Sequence, residues 1–296
     1  MGLSPVSQYL LMFISVLSLT GRVTKAQTVP VTFYPFGSVA GDTVGIAIED
    51  ANSTLVDLWR PFVFFGRTYN KTYVNNNGHL TFNQPLPEYY PKNFPINGNE
   101  DIIAPLWTDV DVSLNGSISY QQYSNGSVLT QATRDINQYF PYLNFTATWV
   151  LVATWDRVQY LFYSGTEASF QVVLISGGDL SFILMNYGDC AETLNGVQAG
   201  YDTVNSTSHS VITVSGSFIP NLVNSSNVNV PGRWAFRVDS APENIIGVEL
   251  RVISFSDLTK SENIVNVLEK LQQELVKSGL PSSAKLNFRR IQKTRP

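Results

Sequence analysis

Asp109 and Asp111, followed by Asn115, are the side chains whose types and spacing come closest to a chemical site in this sequence. Alternate positions on an extended segment put both carboxylates on one face, and hard oxygen donors in a loop suit Ca2+. A calcium shell takes about six to eight oxygens, and Asp-x-Asp supplies only a pair of side chains. Capping of a turn at a strand end is therefore the competing reading. Glycoside hydrolysis asks more of such a pair, namely carboxyl groups facing across a cleft with their pKa values pushed apart. A sugar on Asn115, which sits in an Asn-x-Ser sequon, would crowd that cleft. The histidines are His79 and His209 and the lone cysteine is Cys190, so no zinc set of the usual spacing can be assembled. There is no Gly-x-Ser-x-Gly elbow and no phosphate-binding glycine loop. The expectation is a chain with no catalytic residues and no cofactor, the Ca2+ reading of Asp109 and Asp111 being the one metal hypothesis.

Composition points outside the cell. Tyr9 to Leu19 is an apolar run too short for a bilayer core of ~30 Å, and Thr24-Lys25-Ala26 places small residues for cleavage, so residues 1–26 read as a signal peptide. No later run is long and apolar enough to span a membrane, which gives a secreted chain. Seven Asn-x-Ser/Thr sequons follow, at Asn52, Asn70, Asn115, Asn125, Asn144, Asn205 and Asn224. All lie before residue 243. With one cysteine no internal disulfide forms, so Cys190 either pairs with another chain or is buried as a small hydrophobe. Residues 27–242 hold eight Lys and Arg against seventeen Asp and Glu, a balance of −9. From 243 onward nine basic residues face six acidic ones, giving +3. The acidic part excludes nucleic acid as a partner, since phosphate neutralisation needs a basic stripe.

The elements that would position these groups are mostly strands. Phe62–Phe65, Lys71–Val74, His79–Phe82, Ile102–Ala104 and Ile118–Gln122 are short β signals, and Asn77-Gly78 supplies the positive φ a tight turn needs. Residues 83–99 hold four prolines and no period, and read as a loop. Leu129, Ala132, Thr133 and Ile136 have helical spacing. From Phe145 to Val158 one face carries Trp149, Leu151, Ala153 and Trp155, the other Val150, Val152 and Thr154. A strand apolar on both faces belongs at the centre of a sheet. Phe170–Ile175 and Leu180–Tyr187, joined across Gly177-Gly178, form the clearest hairpin. Val197–Tyr201, Val211–Val214 and Trp234–Val238 complete about ten strands. The fold class is mainly β, an antiparallel β-sandwich or open barrel with one short helix. After Pro242 a small β-α-β unit follows over 243–296. It comprises a strand at 248–255, a helix opened by the capping box Thr259-Lys260-Ser261-Glu262 and closed by Gly279 and Pro281, and a strand at 285–291.

Several phrases carry a resemblance. Phe33-Tyr34-Pro35-Phe36-Gly37, Tyr73-Val74-Asn75-Asn76-Asn77-Gly78, Ala104-Pro105-Leu106-Trp107-Thr108-Asp109-Val110-Asp111, Ala153-Thr154-Trp155-Asp156 and Pro231-Gly232-Arg233-Trp234-Ala235-Phe236 are similar, in order, to the nidogen-type NIDO domain. The likeness covers roughly residues 33–239 within a NIDO-type unit of 27–240, with the family core at about 95–240, and leaves 243–296 without an identity. It implies an extracellular glycoprotein module of cell–matrix adhesion or matrix assembly, acting on extracellular matrix or cell-surface proteins through protein–protein contacts, with no catalytic residues to carry over. The rival class is a calcium-assisted, lectin-like carbohydrate-binding module using Asp109 and Asp111.

Overall fold

A computed structural model describes residues 30, 32–45, 53–240 and 261–279, with side chains in the last segment from 264 onward. The expected signal peptide, the sequon at Asn52 and the strands expected at 248–255 and 285–291 lie outside the described residues. Among those described, thirteen strands run in chain order: β1 (Thr43–Val44), β2 (Thr54–Phe64), β3 (Arg67–Asn75), β4 (His79–Thr81), β5 (Ile102–Trp107), β6 (Val110–Asp111), β7 (Ser117–Tyr123), β8 (Trp149–Tyr160), β9 (Ala168–Gly177), β10 (Leu180–Cys190), β11 (Gln198–Asp202), β12 (His209–Thr213) and β13 (Arg233–Arg237). Helix α1 (Ser127–Tyr139) lies between β7 and β8. One sheet has the order β1-β7-β8-β9-β10-β13, with β6 also pairing β8; the other is β12-β11-β5-β4-β3-β2. All strand pairs within them are antiparallel. The architecture is a two-sheet sandwich, and the strands exceed the expected ten because β1 and β6 are two-residue pieces too short to leave a periodic signal.

The double-sided strand has a physical reason. Trp149, Leu151, Ala153 and Trp155 of β8 enter the core between the sheets with Phe62, Phe64 and Phe82. Val150 and Val152 pack on the opposite face with Val128, Ala132 and Ile136 of α1. A sheet covered by a second sheet on one side and a helix on the other has no solvated face, so alternation disappears. The buried indoles also keep their N–H groups bonded: Trp149 Nε1 donates to Gln122 Oε1 at 3.1 Å and Trp155 Nε1 to the Asn76 carbonyl at 3.0 Å. Truncating either ring to Ala costs ~3–5 kcal/mol on the usual scale for large core residues.

The helix corrects one expectation. Its buried residues are Val128, Ala132, Asp135 and Ile136, so the inward face is rotated from the Leu129-Ala132-Thr133-Ile136 stripe. Asp135 turns inward because a buried arginine waits there. Arg233 of β13 donates from Nη1 to Asp135 Oδ2 at 2.7 Å and to Tyr139 Oη at 2.9 Å, from Nε to Asn186 Oδ1 at 2.8 Å, and from Nη2 to the Thr32 carbonyl. Tyr34 Oη donates to the same carboxylate at 3.1 Å, and Gln171 clasps the Tyr34 backbone through both its amide atoms. A buried ion pair with its polar atoms engaged fixes register well, while loss of one partner strands the other charge. Here it ties residues 32–34, α1, β10 and β13 together.

Residues 83–99 form a loop, as expected, but a packed one. Phe94, with the partly buried Leu86 and Ile96, covers Ile102, Ala104 and Trp107 on the outer side of the second sheet. Trp107 Nε1 donates to the Glu88 carbonyl at 2.8 Å, Leu86 N to Asn75 Oδ1 at 2.9 Å and Phe94 N to Gln198 Oε1 at 2.9 Å. Beneath this strap His79 is fully buried against Trp107, ring centroids 4.6 Å apart.

The C-terminal unit, residues 244–296, is compact on its own contacts. Its described part is helix α2 (Ser261–Lys277), ended by Gly279 at φ +104°, the left-handed stop expected from the sequence. The N-terminal cap residue Thr259 lies outside the described residues. Ile264, Val267, Leu268 and Leu271 are half-buried and Leu275 is exposed. No helix among the described residues is long and apolar enough to cross a membrane.

Candidate functional site

Asp109 and Asp111 sit at the end of the sandwich where β5 leaves one sheet and β6 joins the other. The Asn75–Gly78 turn holds them there. Asn77 Oδ1 accepts from Val110 N at 3.0 Å and the Asn77 carbonyl from Thr108 N at 3.1 Å. Gly78 has φ +83°, and a Cβ on it would stand 1.9 Å from the Leu106 carbonyl oxygen. Glycine is needed here twice over, for the turn and for the close approach. Val110 and Asp111 then pair with Tyr160 and Gln159 of β8.

Both carboxylates are buried, Asp109 at 9% exposure and Asp111 at 4%. Asp111 Oδ1 accepts from the backbone N of Ser113 at 2.8 Å and from its hydroxyl at 2.6 Å, the geometry of a carboxylate closing its own turn. Asn115, half-buried, donates from Nδ2 to the Arg157 carbonyl at 3.2 Å and to Glu167 Oε1 at 3.0 Å. Among the described residues no three His, Cys, Asp or Glu side chains gather closely enough to hold a metal ion.

The other sequence candidates are scattered. His79 lies under the strap, where burial lowers its pKa to about 4. Neither ring nitrogen reaches a partner in hydrogen-bond geometry, although the backbone at Asn77 and Leu86 faces the ring and opposes that shift. His209 is on the exposed side of β12. Cys190 is 6% exposed, its thiol donating to the Ser169 carbonyl at 3.4 Å, and burial pushes its pKa up to about 12. The thiol is therefore protonated at neutral pH. Of the sequons, Asn70, Asn125, Asn144, Asn205 and Asn224 are exposed. Among the tryptophans singled out as core, Trp107, Trp149 and Trp155 are buried and Trp234 is partly buried.

Sequence reasoning missed a different feature of the Asp109 end. Four loops meet there. Asn195 Nδ2 donates to the carbonyls of Asp109 and Leu161, and Leu161 N donates to the Asp109 carbonyl at 3.1 Å. Thr108 Oγ1 donates to the Gly196 carbonyl at 2.9 Å, and Gly196 packs so closely on the strap that a Cβ would lie 3.3 Å from Pro91 and 3.5 Å from Tyr90. Each loop projects an apolar side chain into solvent: Tyr90 is 71% exposed, Leu114 59%, Phe162 86% and Leu194 82%. Phe162 also holds φ +64°, a left-handed conformation that costs an aromatic residue strain. Single exposed hydrophobics mean little, but several on adjoining loops at one end of a scaffold mark a contact surface. The only sequence signal was local: isolated apolar residues in polar loops.

The fold is a two-sheet antiparallel β-sandwich whose Asp109 end carries exposed apolar side chains on adjoining loops. A model of the nidogen-like domain family matches residues 70–240, and the chain belongs to that family. It is 39% identical over 228 residues to alpha-tectorin of Mus musculus, covering 70% of this chain and 10% of that protein. It is 33% identical to nidogen of Drosophila melanogaster, covering 64% of this chain and 15% of that one. To nidogen-1 of Homo sapiens it is 25% identical over 238 residues, covering 70% and 19%. The chain thus spans about a tenth of the length of alpha-tectorin. No solved structure matches it.

Proposed function

We propose that this protein is an extracellular, non-catalytic glycoprotein module of cell–matrix adhesion or matrix assembly, working through protein–protein contacts. The observation that carries the reading is the loop end at Asp109, where apolar side chains face solvent while the carboxylates of Asp109 and Asp111 are buried. Membership of the nidogen-like family supports a matrix setting, as do exposed sequons on the described surface. The calcium-assisted lectin is the second reading, and the inward carboxylates of Asp109 and Asp111 favour it less, since a shared cation needs their oxygens turned outward with several more donors.

The test uses the full chain, secreted by cultured cells, on a decellularised matrix film. Saturable binding that survives EDTA and is lost when the film is digested with protease supports the proposal. Release by EDTA together with calcium-dependent binding to a glycan array supports the lectin instead. Absence of saturable binding contradicts both.

A further inference from the structure

The loop end and most of the exposed sequons occupy different parts of the module. Tyr160, whose hydroxyl donates to the Ala191 carbonyl, marks the Asp109 end of β8, and Trp149 marks the other. Asn125 lies just past Tyr123, which pairs with Val150 near the Trp149 end. Asn144 precedes the same strand start. Asn205 donates from its backbone N to the Gly98 carbonyl, next to Asp101, which accepts from Arg67 and from Val204 N. Arg67 opens β3 beside the turn at Phe65, whose N donates to the Val238 carbonyl after β13 leaves the sheet. Asn70 is three residues along that strand. Four of the five exposed sequons therefore cluster toward the end opposite Phe162, while the fifth, Asn224, lies beside Gly232, whose carbonyl accepts from Tyr187 N. At the Phe162 end stands Asn115, half-buried and with its Nδ2 already engaged twice.

We infer that the apolar loop end of Tyr90, Leu114, Phe162 and Leu194 is the adhesive surface, and that its partner is a protein segment presenting Lys or Arg beside apolar side chains. The inference rests on the proposed binding function and assigns it a surface. Charge complementarity selects the partner: Glu88, Asp189 and Glu192 are exposed around these loops. Against them stand Lys92 and Arg157, the latter paired with Asp156 at 3.3 Å. A mixed apolar and acidic rim disfavours an acidic glycan or an anionic lipid surface and fits a basic, partly apolar polypeptide. Sugars on those four sequons would leave this end free to dock.

The sequence offers a clean test, because Phe162 is followed by Tyr163 and Ser164. Phe162→Asn creates a sequon in one step, at a left-handed position that asparagine tolerates better than phenylalanine. The substitution keeps the fold intact, since the side chain touches solvent. Binding of the full secreted chain to the matrix film is compared for wild type, Phe162→Asn, Leu194→Ser, Glu88→Lys/Glu192→Lys, and a variant with Asn70, Asn125, Asn144 and Asn205 changed to Gln. Film samples treated with protease, heparinase or neither identify the ligand class. The expected result is at least a tenfold loss of affinity for the glycan wedge, a smaller loss for Leu194→Ser and the charge-reversal pair, and little change when the four sequons are removed. Binding should depend on film protein and not on heparinase-sensitive chains. Wild-type affinity in the glycosylated Phe162→Asn protein overturns the surface while leaving the adhesive function in place. Loss on heparinase treatment overturns the partner class, and failure of the wild type to bind at all overturns the function beneath both.

Discussion

The buried imidazole of His79 sets a sharp dependence of stability on pH. It is fully buried, its ring lies tilted against Trp107 and neither nitrogen meets a partner in hydrogen-bond geometry, and burial, only partly opposed by the backbone at Asn77 and Leu86, lowers its pKa from 6.5 to about 4. The sign follows from linkage. Below about 6.5 the unfolded chain takes up a proton at this position that the folded chain refuses until about 4. Stability is therefore lost as pH falls from 6.5 to 4, at up to ~1.4 kcal/mol per pH unit and ~3 kcal/mol in all, and levels off below 4. For a unit of this size that is a fall in Tm of ~6–12 °C. Burial also holds the carboxyls of Asp42 and Glu100 above their ordinary values. They are shared by wild type and a His79→Phe variant, which keeps an aromatic ring against Trp107, so the difference between the two profiles isolates the histidine. Tm is measured by calorimetry across this interval. The variant should lose markedly less stability on acidification than the wild type. Parallel profiles would refute the reasoning, because they would mean that the ring is hydrated or bonded in the folded state.

Asp135→Asn or Arg233→Met should each cost ~3–5 kcal/mol in chemical unfolding, whereas the joint change Asp135→Leu/Arg233→Met should cost less than the single changes predict together. Gly78→Ala should reduce secretion sharply and lower stability by more than ~2 kcal/mol, since the added Cβ meets the Leu106 carbonyl at 1.9 Å on top of an unfavourable positive φ. Cys190 should react with a thiol reagent only after denaturation, and the purified chain should run as a monomer without reductant; prompt labelling or a reducible dimer band contradicts the buried-thiol geometry.

Much of the sandwich was legible because its signals are local. The hairpin of β9 and β10 is announced by two apolar runs around Gly177-Gly178, and Gly78 by the turn it must make. Trp149 to Trp155 shows its central position through the absence of alternation. What stayed hidden depends on groups far apart in sequence. Arg233 and Asp135 are 98 residues apart and Arg233 and Thr32 are 201 apart, so nothing near either member marks Asp135 as buried. The inward face of α1 was misplaced for that reason. The strap over Trp107 has no period because its side chains follow the sheet beneath it. At the candidate site, Asp109 and Asp111 were found but their inward direction was not, because the Asn75–Gly78 turn and β8 set it. The exposed loop residues show no common pattern until Asn195 and Gly196 bring their loops together.

The central claim, that this module acts through its Asp109 end, is tested most directly by hydroxyl-radical footprinting of the full glycosylated chain, free and bound to matrix protein. Protection should concentrate on Tyr90, Leu114, Phe162 and Leu194, with exposed residues near Asn125, Asn144 and Asn205 labelled equally in both states. Protection centred on the sequon-bearing end, with Phe162 labelled alike in both states, contradicts the account.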